Sequence, residues 1–217
     1  MIKPASVLSG LVVAALLTMQ GSDRSLLRTP DHAEMNQRAP EHFRVALETS
    51  QGPITLEVQR VWSPHGVDRF YNLVRRGYFT SAKFFRVRAG TWAQFGINAD
   101  PGISTAWRGR TIPDDPRVLS NTRGTVAYAF KDPNGRTTQM FINLKDNAST
   151  HDAEPFVPFA RVVAGMNAAD ALYAEYGERA GGGIRGGKQD PLFKEGNAYL
   201  DRLFPKLDYI KEARILP

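Results

Sequence analysis

The chain has 217 residues, of which 42% are hydrophobic and 23% are charged, so it can bury the core of one well-packed domain. It contains no cysteine, which excludes disulfide bonds, thiolate nucleophiles and cysteine-ligated metals. The formal net charge of +6 favours acidic partners or anionic surfaces, but it does not specify a fold.

The first 22 residues have the layout of an export signal. Lys3 precedes a run that is apolar from Ala5 to Met19, interrupted only by small or polar residues such as Ser and Gly. This run is shorter than the roughly 20 residues that a membrane-spanning helix needs, and a charged start before an apolar stretch is typical of secretory signals. We therefore expect residues 1–22 to be a signal peptide and the protein to be exported, to the periplasm in a Gram-negative host. A retained membrane anchor is the alternative, and only then would a membrane be a partner.

Residues 23–42 are polar and without pattern, which is typical of a linker. Apolar and polar residues then alternate over 43–59 on both sides of SQGP, which predicts two strands joined by a Gly-containing turn. The next segment predicts a helix, with Ser63 as N-cap, Pro64 at the first helical position and Gly77 as the stop.

The rest of the chain indicates a mainly β fold. Short apolar runs alternate with the polar loops NADPGIS and TIPDDPRVLSNTRG. Further elements are predicted as a second helix over 167–176, a flexible loop over 179–187, a helical turn over 198–204 and a closing strand over 207–216. Many short strands with two well-separated helices favour a closed antiparallel β-barrel capped by two α-helices, formed by one domain over residues 43–217.

The residues that could bind a metal or act as a nucleophile do not have the spacing that either function requires. The histidines, which are His32, His42, His65 and His151, do not pair at ligand spacing with one another or with a fitting carboxylate. The sequence has no G-x-S-x-G motif. The loop 179–187 lacks the preceding strand and the GK[ST] ending of a phosphate-binding loop. We therefore expect neither a metal nor a cofactor.

The segment 84–97, FFRVRAGTWAQFGI, carries polar side chains within an apolar run. In an extended chain one face would hold Phe84, Arg86, Arg88, Trp92 and Gln94, unless Ala89-Gly90 breaks the register. In TTQMFIN, Gln139 and Phe141 likewise share a face, and GTVAYAF offers a third strand with small residues. Amides, aromatic rings and an arginine on one surface suit an extended peptide. The alternative interpretation is that the aromatic residues are simply core.

These motifs are similar, together and in order, to one family. FFRVRAGTWAQFG, NTRGTVAYAF, PNGRTTQMFINL and FVPFARVVAGM, with RRGYF ending the helix before them, resemble the cyclophilin-type peptidyl-prolyl cis-trans isomerases over about residues 43–217. The resemblance implies a β-barrel closed by two helices and isomerase (rotamase) activity on X-Pro bonds, which needs no metal and no cofactor. The partners that it implies are proline-containing segments of client proteins.

The resemblance also implies a role for individual residues. Arg86 stands at the place of the catalytic arginine, and Phe141 at the aromatic floor of the proline pocket. The substrate-binding set that it implies is Trp92, Gln94, Ala129, Phe130, Gln139, Phe141 and Phe156, with Ala129 and Phe130 acting through their backbone.

The sequence departs from the family pattern in the pocket. Thr91-Trp92 replaces the usual Phe-Met pair, Phe156 replaces the usual histidine, and the usual tryptophan is absent near His151 and Asp152. These changes leave open a peptide-binding chaperone or scaffold with little catalysis. A nucleic-acid-binding barrel is the other alternative on charge alone, but no basic stripe interleaved with aromatics supports it, and export argues against it.

Overall fold

The computed structural model describes residues 24–182 and 188–217. The predicted signal peptide and the greater part of the predicted loop 179–187 lie outside these residues. Within the described residues, the strands form one antiparallel sheet in the order β3-β4-β6-β5-β7-β2-β1-β8. The strands are β1 (His42–Thr49), β2 (Gly52–Gln59), β3 (Arg86–Arg88), β4 (Trp92–Phe95), β5 (Thr125–Tyr128), β6 (Met140–Asn143), β7 (Pro158–Ala164) and β8 (Ile210–Leu216).

The helices are short apart from the first one. The α-helices are α1 (Pro64–Arg75), α2 (Pro101–Trp107), α3 (Ala148–His151), α4 (Met166–Asp170), α5 (Asp190–Glu195) and α6 (Asn197–Leu203). The 3₁₀ helices cover Arg24–Arg28, Ala33–Met35, Arg60–Trp62 and Arg179–Gly181.

The fold is mainly β, as predicted, but the sheet curls without closing completely. The predicted β1–β2 hairpin is confirmed, with Thr49 opposite Gly52 at the turn. The edge strands β3 and β8 share no ladder in the described residues. They are linked just outside their ends by an isolated bridge between Lys83 and Tyr209 and by a 2.9 Å hydrogen bond from the Phe84 amide to the Asp208 carbonyl. In this antiparallel register Arg86 lies opposite residues that precede β8, so β3 and β8 do not form a continuous ladder.

The predicted helix at 63–77 is confirmed as α1, although its N-terminus is capped differently from the prediction. The Ser63 side chain does not cap the helix. Its hydroxyl instead donates to Asp115, 2.5 Å away, and the Asp115 carboxylate accepts from the amides of His65 at 3.0 Å and Gly66 at 3.1 Å. A carboxylate from a distant loop therefore satisfies the amides that the first helical turn leaves without partners.

Residues 24–41, which the sequence predicts as a linker, pack against the domain. Leu27, Met35 and Ala39 are buried in the main core. The Trp107 indole N–H donates to the Leu27 carbonyl at 2.8 Å, and the Asp68 carboxylate accepts from the Ala39 amide at 2.9 Å. The segment is polar on average, but its few apolar side chains are spaced to reach the core, and this explains the difference from the prediction.

In the C-terminal part, two predicted elements are confirmed and the bounds of a third are corrected. The helical turn 198–204 and the closing strand correspond to α6 and β8. The helix predicted over 167–176 ends already at Asp170. The amide of Tyr173 donates to the Asp208 carboxylate at 2.6 Å instead of continuing a helical ladder, which stops the helix early. The chain then crosses toward β3 through the 3₁₀ helix Arg179–Gly181.

Candidate active site

The alternation along β3, β4, β5 and β6 gathers polar and aromatic side chains on one face of the sheet. Arg86 lies opposite Gln94, Gln94 opposite Phe141, and Phe141 opposite Ala127. Directly opposed residues in antiparallel strands point to the same side, so these four form a row. The hairpin turn after β3 keeps this register, because Arg88 is paired with Trp92 across it. The shared face predicted from the sequence is confirmed for these strand residues.

Phe84 is the exception, since it belongs to the core. It is fully buried and packs on Phe95, with 5.2 Å between ring centroids. The prediction that Phe84 shares the polar face is wrong because β3 begins only at Arg86, and the chain before it follows β8 instead of this strand's alternation.

A cavity of about 190 Å³ opens on this face. It is lined by Arg86, Trp92, Gln94, Ala129, Phe130, Phe141, His151, Glu154 and Phe156. We call it the aromatic cavity. A second cavity of about 320 Å³ adjoins it, shares Arg86, Gln94, Ala129 and Phe130 with it, and adds Gln139. The predicted site residues are thus brought together, with Gln139 in the adjoining cavity.

Three phenylalanine rings enclose the aromatic cavity, with Phe141 as its floor and Phe130 and Phe156 as one wall. Phe156 lies 4.5 Å from Phe130 and 5.4 Å from Phe141, measured between ring centroids. The His151 ring stands 4.9 Å from Phe156. A wall of this kind removes water from an apolar ring without offering it a polar group, which is what burial of a proline ring requires.

His151 and Glu154 were not predicted as site residues, although they line the cavity. In the sequence, His151 lies near the place where the similar family usually has a loop tryptophan, and this was a signal for a site residue. The loop differs in length, which made the correspondence hard to see. Burial among the rings lowers the pKa of His151 below its ordinary value of 6.5 and outweighs the opposing influence of Asp152 and Glu154. The imidazole is therefore neutral at pH 7 and acts as part of the apolar wall.

The Asp152 carboxylate holds the loop that carries His151 and Phe156. It accepts from the Ser120 hydroxyl at 2.5 Å and from the Asn121 amide at 3.0 Å. The Asn121 side chain in turn donates to the Phe156 carbonyl at 2.8 Å. Although partial burial opposes it, this hydrogen bonding keeps the pKa of Asp152 below its ordinary value.

Trp92 narrows the aromatic cavity without filling it. Its ring centroid lies 5.8 Å from that of His151 and 5.5 Å from the guanidinium carbon of Arg86. The cavity of about 190 Å³ that remains has room for a five-membered ring. The indole N–H is buried and has no hydrogen-bond partner among the described residues.

The Arg86 guanidinium lies at the edge of the aromatic cavity and is fixed on two sides. One terminal nitrogen donates to Gln94 Oε1 at 3.1 Å, and the other pairs with Glu178 Oε1 at 2.9 Å. Gln94 Nε2 donates to Gln139 Oε1 at 2.9 Å. The arginine and the two glutamines are thus one hydrogen-bonded set; Arg86 and Gln94 line both cavities, and Gln139 lines the second.

Ala129 and Phe130 follow directly after β5. The Ala129 amide already donates to the Gln139 carbonyl at 2.9 Å. That N–H is therefore engaged in extending the β5–β6 ladder, whereas the Phe130 side chain contributes a ring to the cavity wall. Ala129 itself lines both cavities.

Residues 24–182 and 188–217 lack two other features that would indicate a function. Within them, no group of three or more His, Cys, Asp or Glu side chains is arranged to hold a metal ion. The same residues contain no helix that is both long and apolar enough to cross a membrane.

Solved structures of similar fold support the architecture. A cyclophilin-type peptidyl-prolyl cis-trans isomerase from Cryptosporidium parvum superposes with a TM-score of 0.58 at 18% identity, covering 81% of this chain and 98% of that one. Its structure in the presence of the dipeptide Ala-Pro gives a TM-score of 0.56 at 19% identity, with 80% and 99% covered. At these identities the likeness concerns the fold alone.

Sequence comparison identifies the family. A peptidyl-prolyl cis-trans isomerase of Streptomyces antibioticus is 33% identical over 136 residues, which are 59% of this chain and 81% of that protein. One from Acinetobacter baylyi is 29% identical over 138 residues, which are 59% and 70%. The family profile described as "Cyclophilin type peptidyl-prolyl cis-trans isomerase/CLD" matches residues 44–183, well over half of the chain. The chain therefore belongs to the cyclophilin-type peptidyl-prolyl cis-trans isomerase family.

Proposed function

We propose that this enzyme accelerates rotation about X-Pro bonds by holding the proline ring in the aromatic cavity while Arg86 donates a hydrogen bond to the proline amide nitrogen. The observation that carries the proposal is the position of the Arg86 guanidinium, which lies beside a cavity floored by Phe141 and walled by Phe130 and Phe156. Proline-containing segments of client proteins are the proposed substrates.

The energetics of the reaction explain why such a site needs no nucleophile. Conjugation of the amide sets a barrier of roughly 18–20 kcal/mol, so uncatalysed exchange takes tens to hundreds of seconds. No bond is broken, and the enzyme has only to bind the twisted amide more tightly than either planar form. In the twisted form the nitrogen lone pair is no longer delocalised and accepts a hydrogen bond.

The magnitude available from Arg86 is useful but limited. A hydrogen bond from a charged donor is worth about 1.5–3 kcal/mol, and each tenfold of rate requires about 1.4 kcal/mol. One such bond in a partly dry site therefore supplies about one to two factors of ten. The rest comes from holding the ring still in the cavity and the flanking chain along Gln94 and Gln139.

Isomerisation of a short proline peptide tests this role of Arg86. We expect Arg86→Ala to lower kcat/KM at least tenfold while the unfolding temperature stays within a few degrees of wild type. Arg214→Ala serves as the matched control, because Arg214 is exposed on β8 and its nearest carboxylate, Glu48, is 3.5 Å away. An Arg86→Ala variant as fast as the control would refute the role.

A peptide-binding chaperone or scaffold on the same fold is the second candidate. It is favoured by the ion pair between Arg86 and Glu178, which partly neutralises the cation, and by Trp92, which narrows the cavity. The same assay separates the two functions. Tight binding of the peptide by a wild-type protein that does not accelerate exchange would support the scaffold.

The proposed setting is the folding of exported proteins, in the periplasm of a Gram-negative host. It rests on the charged and then apolar layout of residues 1–22. N-terminal sequencing of the protein recovered from a periplasmic fraction tests it. A mature N-terminus near residue 22 would support cleavage, whereas a full-length protein that sediments with membranes would support the anchor.

A further inference from the structure

We propose that Glu178 is a positioning residue for Arg86, so that the cation reaches the substrate amide in one fixed orientation. This inference rests on the proposed function of Arg86. The ion pair joins Arg86 to Glu178 Oε1 at 2.9 Å, and the side chains of the two residues are only 13% and 24% exposed. A pair this sheltered is more constrained than ion pairs on the open surface, where two long side chains move freely.

The backbone around Glu178 is docked on β3, so the carboxylate has a fixed origin. Glu178 directly precedes the 3₁₀ helix Arg179–Gly181, whose Ala180 is fully buried with Phe85 in a second core cluster. Gly181 comes so close to β3 that a Cβ on it would lie 3.0 Å from both Arg86 Cβ and Phe85 Cδ2. The segment therefore cannot shift without disturbing the strand that carries Arg86.

Glu178 is one end of a continuous line of hydrogen bonds, which we call the polar chain. Its members in order are Glu178, Arg86, Gln94, Gln139 and Gln189. From Arg86 onward each side chain donates to the oxygen of the next, and the last link, from Gln139 Nε2 to Gln189 Oε1, is 2.9 Å long.

The polar chain begins and ends on the C-terminal segment. Glu178 and Gln189 lie on either side of the short stretch whose two flanks are tied together by a 3.1 Å bond from the Lys188 amide to the Gly182 carbonyl. The described residues on the two sides of 183–187 thus bind both ends of the polar chain: Glu178 fixes the guanidinium of Arg86, and Gln189 fixes Gln139.

The guanidinium gains orientation from this arrangement. A free arginine side chain samples many rotamers, and this freedom would have to be lost when the twisted amide is bound. Because Gln94 and Glu178 already hold the two terminal nitrogens, the side chain loses this freedom when the protein folds and not when substrate binds. The Arg86 Nε–H is buried and has no partner among the described residues. The cation therefore keeps a donor that Glu178 does not occupy. Removal of Glu178 should therefore affect kcat more than KM, because Arg86 acts on the twisted form.

The test compares three variants with wild type in isomerisation of a short proline peptide, with kcat and KM measured separately. Glu178→Ala removes the partner, Glu178→Gln keeps an acceptor of the same size without the charge, and Glu175→Ala is the matched control. Glu175 is an exposed acid of the same segment that accepts from the Tyr173 hydroxyl at 2.8 Å. We expect kcat to fall about tenfold in Glu178→Ala with KM within twofold, Glu178→Gln to recover at least half of the lost rate, and the control to match wild type.

The double variant Arg86→Ala/Glu178→Ala distinguishes positioning from a general structural effect. If Glu178 acts through Arg86, its removal costs nothing further once Arg86 is absent, and the double variant is as fast as Arg86→Ala. An additional tenfold loss in the double variant would overturn the inference, as would a Glu178→Ala enzyme with the wild-type rate. Failure of the proposed function looks different, because Arg86→Ala alone would then keep the wild-type rate.

Discussion

Replacement of Asp115 by alanine should destabilise the protein more than replacement of any exposed aspartate. The Asp115 carboxylate accepts from the Ser63 hydroxyl, from the first amides of α1 and from Arg136 at 3.0 Å, and the Arg136 side chain is completely buried. Removal of one partner of a buried ion pair costs about 3–5 kcal/mol, and loss of a helix cap costs about 1 kcal/mol. The two losses share atoms, and Asp114 remains 3.2 Å from Arg136. We therefore expect Asp115→Ala to lower the free energy of unfolding by about 4 kcal/mol.

Urea unfolding followed by circular dichroism measures this loss, with Asp170→Ala as the matched control. Asp170 also pairs with an arginine, Arg123 at 2.6 Å, but both side chains are more than 40% exposed, and such pairs are worth about 0–1 kcal/mol. A difference between the two variants of less than about 1 kcal/mol would refute the reasoning, since burial is the main physical difference between the pairs.

Acid should remove the same contribution from the wild-type protein. Burial of Asp115 raises its pKa, but hydrogen bonds from Ser63 and the α1 amides, with the charge of Arg136, outweigh burial and hold the pKa below its ordinary value of 3.8. A carboxyl whose pKa is lower in the folded state stabilises the fold above its unfolded pKa and loses this effect as the pH falls through the folded pKa. The gap between wild type and Asp115→Ala should therefore be constant near neutral pH and narrow below about pH 4.

Three further outcomes follow from the cavity and its surroundings. The wild-type kcat/KM should be flat near neutral pH and fall as the pH drops through the lowered pKa of His151, because a charged imidazole opposes entry of an apolar ring; His151→Asn should abolish the fall, and a wild-type profile identical to that of His151→Asn at every pH at which both proteins stay folded would contradict this role. Gly96→Ala should cost more than about 2 kcal/mol in urea unfolding, because Gly96 has a φ of +107° and a Cβ there would lie 2.2 Å from the Thr138 carbonyl oxygen; Gly109→Ala, which meets nothing within 4 Å, should be neutral. Trp92→Ala should raise KM for proline peptides several-fold by opening the wall beside Arg86, and an unchanged KM would exclude Trp92 from binding.

Elements with strong local patterns were predictable from the sequence. The β1–β2 hairpin follows from period-two alternation around a Gly-containing turn, and α1 from its apolar stripe and its Pro at the first helical position. The α2 helix was missed although its signal is present. Asp100 accepts from the amides of Gly102 and Ile103, and Pro101 occupies the first helical position. This N-cap and proline pair lies inside NADPGIS, whose turn-like composition concealed it.

Contacts that are distant in sequence could not be predicted from local pattern. The cap of α1 comes from Asp115, about fifty residues away, and Glu178 approaches Arg86 across 92 positions. Both depend on where loops cross the folded sheet, which no periodicity encodes. His151 belongs to the same class, because its place in the cavity is set by the Asp152 hydrogen bonds to Ser120 and Asn121.

The two faces of each strand explain why the floor of the aromatic cavity is constrained more strongly than the part of its wall that lies outside the strands. In β6, Phe141 faces the cavity while Met140 and Ile142 on either side of it are fully buried in the core. A shift of one residue would exchange the cavity floor and the core, so core packing also fixes the floor. His151 is the last residue of α3 and Phe156 lies in the loop after it, and no such alternation constrains either residue. The walls of the aromatic cavity can therefore be changed while Arg86, Gln94 and Phe141 keep their mutual geometry, and changes in the walls should alter substrate preference before they alter the rotation step.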